Sequence, residues 1–235
     1  MESVSKKELE QYYIPEEDTE AINRSRILKS TIDAYMSTKD KKIIDIGLGG
    51  GFLLKAFSDK NTIENLYGLD ISDYQFGKVI KNHGFLRNNL FTGDATQSKT
   101  FSDKVFSDQF DIVLCTDVIE HTFDPLALIN NLVKITKKGG HIVFNIPLEL
   151  NLKARILYLL GQAIHNPFCV GGHIRFFKPQ QILKFFKERK DLTIIGKDFD
   201  MWFGKESFIR TLKHKLANLF PSLFAGRITI ILQKK

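Results

Sequence analysis

The chain has 235 residues, 43% hydrophobic and 26% charged, a composition that is typical of globular proteins and excludes collagen-like, disordered and multi-span membrane classes. No stretch approaches the roughly 20 apolar residues of a membrane-spanning helix, and the charged first 20 residues lack the apolar core of a secretory signal, so we expect a cytoplasmic protein. The net charge is +7, and residues 151–235 hold 16 Lys and Arg against 5 Asp and Glu, which suits an anionic partner or a solvated basic surface.

From residue 41 onward, short apolar runs alternate with segments of helical period, a pattern that is typical of βαβ units. Seven runs predict strands, at residues 41–47, 65–70, 85–94, 110–117, 139–147, 192–199 and 227–233. Helices are predicted at residues 21–38, 52–58, 74–81, 125–136 and 179–187. The Lys-Lys-Gly-Gly sequence at 137–140 predicts the end of the helix before it. We therefore expect an α/β, Rossmann-like fold with a seven-stranded, mostly parallel sheet, helices on both faces and an antiparallel last strand.

The domain organisation follows from this alternation, because one α/β unit accounts for the whole length. We expect a single domain over residues 1–235, with a flexible or lid-like segment at residues 1–20. Residues 148–176 do not fit a minimal α/β plan and predict an inserted amphipathic helix and loop above the ligand-binding edge. The inserted helix packs against the core or as a lid over an acceptor pocket, or it rests on a membrane surface. Residues 208–224 leave the same alternatives open.

The most informative motif is a glycine-rich turn that follows the first predicted strand, at residues 45–51. Gly47 and Gly49 allow the backbone to turn tightly and to approach a ligand. A dinucleotide-binding loop would require a third glycine at position 52, which is Phe52. Asp45 would repel a pyrophosphate but suits the cationic amino-acid part of a ligand. Taken alone, the turn could also be a plain strand-to-helix connection.

In full, residues 45–51 match the D/E-x-G-x-G-x-G signature and thereby resemble class I S-adenosylmethionine methyltransferases. Asp70 ends the second strand, where a carboxylate can accept hydrogen bonds from both ribose hydroxyls. The resemblance extends over residues 25–147 and implies S-adenosyl-L-methionine as the cofactor. The implied contact residues are Asp45, Gly47, Gly49, Gly51, Asp70, Ile71, Asp94, Ala95 and Thr116.

Methyl transfer from a sulfonium needs an acceptor that is positioned and deprotonated, and the candidates follow the fourth strand. Asp117, Glu120, His121 and the later His173 resemble the E-x-x-E-H…H set of small-RNA 2′-O-methyltransferases, and residues 118–121 resemble the V-I-E-H segment of ubiquinone-pathway O-methyltransferases. These resemblances imply a divalent metal, although Asp117 is one methylene shorter than the expected Glu. Without a metal, His121 or His173 would be the general base.

The resulting hypothesis is a methyltransferase that acts on a hydroxyl of a small or carrier-linked metabolite, either a sugar or a quinone-type phenol. Small-RNA 2′-O-methylation with a divalent metal is the alternative within enzymes, but the chain has no RNA-binding module, so nucleic acid is not the expected partner. A cofactor-binding protein without catalysis is the alternative from another class. We expect a monomer or homodimer that can contact the inner membrane surface peripherally.

Overall fold

The computed structural model describes residues 19–107, 110–162, 172–201 and 208–235. Its strands are β1 (Ile43–Ile46), β2 (Leu66–Asp70), β3 (Leu90–Thr92), β4 (Phe110–Thr116), β5 (Thr136–Pro147), β6 (Leu192–Asp200) and β7 (Arg227–Lys234). Its helices are α1 (Thr19–Asp33), α2 (Phe52–Ala56), α3 (Phe76–His83), α4 (Pro125–Ile135), α5 (Leu152–Leu159), α6 (Pro179–Glu188), α7 (Phe208–Leu219) and α8 (Pro221–Phe224). None of the helices in these ranges is long and apolar enough to cross a membrane.

The seven strands form one sheet in the order β3-β2-β1-β4-β5-β7-β6. The pairs among β1 to β5 are parallel, whereas β7 runs antiparallel to both β5 and β6. The predicted mixed sheet and its antiparallel last strand are therefore confirmed. Since Ile46 pairs with both Leu69 and Cys115, the carboxyl ends of β1, β2 and β4 meet at one edge.

Both faces of the sheet are buried, which explains the continuous apolar runs of the central strands. Ile44 and Val113 belong to one apolar cluster, and Ile43 and Leu114 belong to a second one. Neighbouring residues of a strand point to opposite faces, so the two clusters lie on opposite sides of the sheet. Each fully buried side chain of this size contributes about 1.5–3 kcal/mol. The burial of both faces stabilises the sheet, and with it the edge where the candidate functional residues lie.

The helix before residues 137–140 ends within one residue of the predicted position, but the four residues do not form its end. α4 ends at Ile135, and these four residues belong to β5. The pairing of β5 with β4 begins at Thr136 and shifts register before His141, so the extra residues form a bulge. Within this bulge, Gly139 has a φ of 74°. A basic pair followed by two glycines is thus compatible with a β-bulge as well as with a helix end.

The insertion is described in two parts, and residues 163–171 between them lie outside the described ranges, as do residues 1–18 of the expected lid. α5 begins after Asn151, whose Oδ1 accepts a hydrogen bond from Ala154 N at 3.1 Å. After the gap, Ile174 N and Arg175 N donate to Glu120 O at 3.0 and 3.2 Å. The second part of the insertion therefore lies against the loop that follows β4.

Candidate active site

The turn between β1 and α2 is built from three glycines in the left-handed region. Gly47, Gly49 and Gly51 have φ values of 79°, 50° and 73°, which favour glycine because a Cβ would be strained there. A Cβ on Gly47 would lie 2.3 Å from Val118 Cγ2, whereas a Cβ on Gly49 would meet no atom of the described residues nearer than 4.0 Å. The backbone at Gly49 therefore borders open space that a ligand can enter.

Asp70 holds this turn from the neighbouring strand. Its Oδ2 accepts a hydrogen bond from Gly49 N at 2.9 Å, and its Oδ1 accepts one from Ser72 N at 3.1 Å. Burial raises the pKa of Asp70, and the backbone N–H donors act in the opposite direction. The adjacent Ile71 is exposed. The carboxyl end of β2 thus presents an acceptor for hydroxyl groups next to an exposed apolar side chain.

Asp45 lies beneath the turn with only 2% of its surface exposed. Its Oδ1 has no hydrogen-bond partner among the residues that the structure describes. Burial, together with the nearby Asp70, raises its pKa well above the ordinary value. A buried carboxylate of this kind is costly unless a cation or donor offsets it. The position fits an ammonium group supplied by a ligand.

The other predicted cofactor residues lie along the same edge. Asp94 closes the turn after β3, since its Oδ1 accepts hydrogen bonds from Thr96 N and Thr96 Oγ1 at 2.8 and 2.7 Å. Ala95 O accepts a hydrogen bond from Asn131 Nδ2 at 3.0 Å. Thr116 ends β4 and borders a small cavity with Arg24. The edge therefore presents one candidate contact at the end of each of the first four strands.

A carboxylate and two imidazoles meet just after β4. Glu120 and His121 lie on the 3-10 helix Ile119–His121, and one donor atom from each of Glu120, His121 and His173 lies within 4.8 Å of the others. His173 Nε2 is 3.8 Å from Glu120 Oε1, and the two imidazole centroids are 4.7 Å apart. Three of the four residues predicted for acceptor chemistry are thus brought together.

Electrostatics distinguish these three groups. Burial, followed by the charge of Asp117, raises the pKa of Glu120 to about 7. Burial and the neighbouring His173 lower the pKa of His121. A hydrogen bond to Glu149 raises the pKa of His173. A neutral imidazole and a more basic one therefore lie side by side near neutral pH.

Asp117 is not part of this group. Its φ is 54°, and its carboxylate pairs with Arg227 and, at 3.1 Å, with Arg24. The prediction that Asp117 would share a metal with Glu120 is not supported by this arrangement, because two guanidinium groups already occupy its oxygens. The positive φ of Asp117 ends the extended backbone of β4.

Two residues at the site were not predicted, Glu149 and Arg24. Glu149 follows the end of β5, and carboxyl ends of neighbouring parallel strands meet at one edge, so its position was a usable signal. Arg24 lies on α1, and its sequence context gives no such signal.

The donor set of Glu120, His121 and His173 fits a divalent cation. It offers carboxylate oxygen and imidazole nitrogen, a mixture that several divalent metals accept. Neither carboxylate oxygen of Glu120 has a hydrogen-bond partner in the described part of the chain, although the side chain is 0% exposed. Buried acceptors of this kind are the groups that a cation would satisfy.

Comparison with known proteins identifies the class. The model of the family described as "Methyltransferase domain" matches residues 21–195, so the chain belongs to this family. Its fold is that of S-adenosylmethionine-dependent methyltransferases. The structure of an S-adenosylmethionine-dependent methyltransferase from Thermotoga maritima, described as a possible histamine N-methyltransferase, superposes with a TM-score of 0.60 at 14% identity. The match covers 91% of this chain and 92% of the other. An N-methyltransferase from Bradyrhizobium japonicum, solved with S-adenosyl-L-homocysteine, has a TM-score of 0.57 at 14% identity and covers 93% and 89%.

Among curated proteins, the chain is similar to ubiquinone biosynthesis O-methyltransferases. The protein from Idiomarina loihiensis is 29% identical over 150 residues, which are 61% of this chain and 58% of the relative. The one from Vibrio parahaemolyticus is 29% identical over 161 residues, which are 66% and 65% of the two chains. The chain thus spans about three fifths of the length of these relatives.

Proposed function

We propose that this protein is an S-adenosylmethionine-dependent methyltransferase that methylates a hydroxyl of a small or carrier-linked acceptor, either a quinone-type phenol or a sugar. The observation that carries the proposal is the group of Glu120, His121 and His173 at the same sheet edge as the open glycine turn. The similarity to proteins named ubiquinone biosynthesis O-methyltransferases supports the phenol as the first acceptor to test.

In this proposal residues at the ends of β1 to β4 would hold the cofactor. The Asp45 carboxylate receives the ammonium group of the methionine part, and the glycines of the turn let the backbone approach it. Asp70 accepts the ribose hydroxyls beside Ile71. The remaining proposed contacts are Gly47, Gly49, Gly51, Asp94, Ala95 and Thr116. Arg24 borders the same small cavity as Thr116 and would be a cation available to the cofactor's carboxylate.

The reaction is a direct displacement. Bound S-adenosyl-L-methionine would supply an electrophilic methyl group, so that formation of the acceptor O–C bond would be balanced by cleavage of the S–C bond and release of S-adenosyl-L-homocysteine. The hydroxyl proton passes to His173, whose imidazolium is flanked by two carboxylates, Glu149 at 2.5 Å and Glu120 at 3.8 Å. Neutral His121 orients the hydroxyl, because its lowered pKa leaves a nitrogen lone pair available.

A metal-assisted version of the same reaction is the second candidate, and the donor set of Glu120, His121 and His173 favours it. These three residues would hold the cation. A bound divalent cation would lower the pKa of an acceptor hydroxyl and could bind two adjacent hydroxyls. This chain's residues would still supply the orientation of the acceptor and the exclusion of water.

Two measurements test the proposed function. Calorimetry with S-adenosyl-L-methionine and with NADH tests the cofactor, and preferential NADH binding would overturn the assignment. A labelled-methyl assay with catechols, sugars and RNA, with and without EDTA or Mn²⁺, tests the acceptor and the metal. His173→Ala should abolish transfer, whereas His214→Ala should not, because His214 pairs with Asp198 outside the group. Equal rates in both variants would remove His173 from the mechanism.

We also propose a peripheral membrane contact through α5. Ile156, Leu159 and Leu160 are exposed beside Lys153, a combination that suits the surface of an anionic bilayer. Sedimentation with phosphatidylglycerol vesicles should capture the wild type, and Leu159→Glu should weaken capture. Equal capture of both would contradict this contact. Light scattering decides between the proposed monomer and homodimer.

A further inference from the structure

Glu149 follows the end of β5 and contacts Nδ1 of the His173 ring, whereas Glu120 lies near Nε2 of the same ring. Its Oε1 lies 2.5 Å from His173 Nδ1, and its side chain is only 11% exposed. The partner is 24 positions further along the chain. His173 therefore lies between two carboxylates that come from the ends of two neighbouring strands, β4 and β5.

The backbone around His173 is itself held in place. Ile174 N and Arg175 N donate to Glu120 O, and Arg175 Nε donates to Thr122 O at 2.8 Å. These bonds dock the segment after the insertion onto the loop that follows β4. With the backbone held, the remaining freedom is the rotation of the imidazole ring and the choice of the nitrogen that carries the proton.

The Glu149 contact removes this freedom. A carboxylate that accepts a hydrogen bond from Nδ1–H selects the tautomer in which Nε2 carries the lone pair. In the structure Nε2 lies 3.8 Å from Glu120 Oε1, within the group of acceptor-side residues.

We propose that Glu149 is a positioning residue that fixes the tautomer and orientation of His173, so that Nε2 faces the acceptor. This inference deepens the proposed function and rests on it for the identity of the reaction. The proton moves from the acceptor hydroxyl to Nε2, while Nδ1 keeps its hydrogen bond to Glu149. No proton needs to reach Glu149, and the same contact would orient Nε2 toward a cation.

The first test observes the contact without any turnover. In a one-dimensional proton spectrum of the protein without ligands, the His173 Nδ1–H should give a downfield resonance, identified by its loss in His173→Ala. Glu149→Gln should shift this resonance upfield, because a neutral acceptor makes a weaker hydrogen bond. A resonance at the same position in Glu149→Gln overturns the assignment.

The second test uses the methylation assay. Glu149→Gln and Glu149→Ala should lower kcat by roughly 10–100-fold, the range seen for residues that orient a functional histidine. The KM for S-adenosyl-L-methionine and the melting temperature of Glu149→Gln should stay unchanged, and Glu149→Asp should recover part of kcat. Glu64→Gln is the matched control, since Glu64 is exposed.

Different results would contradict the positioning role of Glu149 and the proposed function. An unchanged kcat in both Glu149→Gln and Glu149→Ala overturns the positioning role, even if the wild type is an active methyltransferase. A wild type that methylates no acceptor overturns the proposed function, and the shift of the His173 resonance then still decides whether Glu149 fixes the tautomer.

Discussion

Replacement of Glu120 by Gln should stabilise the protein above neutral pH while lowering methyl transfer. The side chain is fully buried, and burial raises its pKa from 4.5 to about 7. Because one pH unit of difference corresponds to about 1.4 kcal/mol, the ionised side chain costs the folded state ~3 kcal/mol. Glutamine has nearly the same shape and carries no charge, so it avoids this cost.

The pH window follows from the direction of the shift. The unfolded chain releases the Glu120 proton near pH 4.5, whereas the folded state keeps it up to about pH 7. The stability that the neutral side chain contributes is therefore fully present below pH 4.5 and is lost as the pH rises through about 7. Glu120→Gln should match the wild type near pH 4.5 and exceed it most above pH 7.

Thermal melting at pH 5 and pH 8 in the presence of EDTA measures the effect. At about 2 °C per kcal/mol for a chain of this length, the variant should melt about 6 °C higher than the wild type at pH 8. Glu64→Gln, an exposed carboxylate, should show no such difference. A gain of equal size at both pH values, or no gain at pH 8, would refute the view that a buried charge limits stability here.

The glycine turn and its support allow three further predictions. Gly47→Ala should lower the melting temperature more than Gly84→Ala, because both glycines have a positive φ but only a Cβ at position 47 would overlap Val118. Equal losses in the two variants would contradict the overlap with Val118. Asp70→Asn should weaken S-adenosyl-L-methionine binding roughly 10–100-fold by calorimetry, since hydrogen bonds to a charged group contribute about 1.5–3 kcal/mol. Arg227→Met should lower the free energy of unfolding in urea by more than about 1 kcal/mol, because the half-buried Asp117 loses a partner. Asp117→Asn in the Arg227→Met background should recover part of this loss.

Local sequence was sufficient for the elements of this fold. Strand β1 could be predicted because a short, continuous apolar run is by itself the pattern of a strand that is buried on both faces. The glycine turn could be located because left-handed φ values at Gly47 and Gly49 depend on the residue type itself. Asp45 and Asp70 could be located because Asp45 belongs to the glycine-rich signature and Asp70 ends the next strand, and the carboxyl ends of these two parallel strands share one edge.

Local sequence was misleading where two structures satisfy the same signal. The Lys and Gly residues at 137–140 suit a helix end, but the partner strand β4 pairs with β5 from Thr136 onward and turns them into a bulge. Asp117 has the spacing of a metal ligand relative to Glu120, but its backbone takes a positive φ and two arginines hold its carboxylate. In both cases a distant partner decided between the alternatives.

The sequence by itself determined the sheet, the turn and the class of cofactor, because each depends on residues that are neighbours in the chain. Only the tertiary structure decided which side chains share a site. The pair of His173 and Glu149 spans 24 positions, and that of Arg227 and Asp117 spans 110. Contacts over such separations depend on the strand order and on the path of the insertion, and the free energy that selects them comes from packing of the whole sheet.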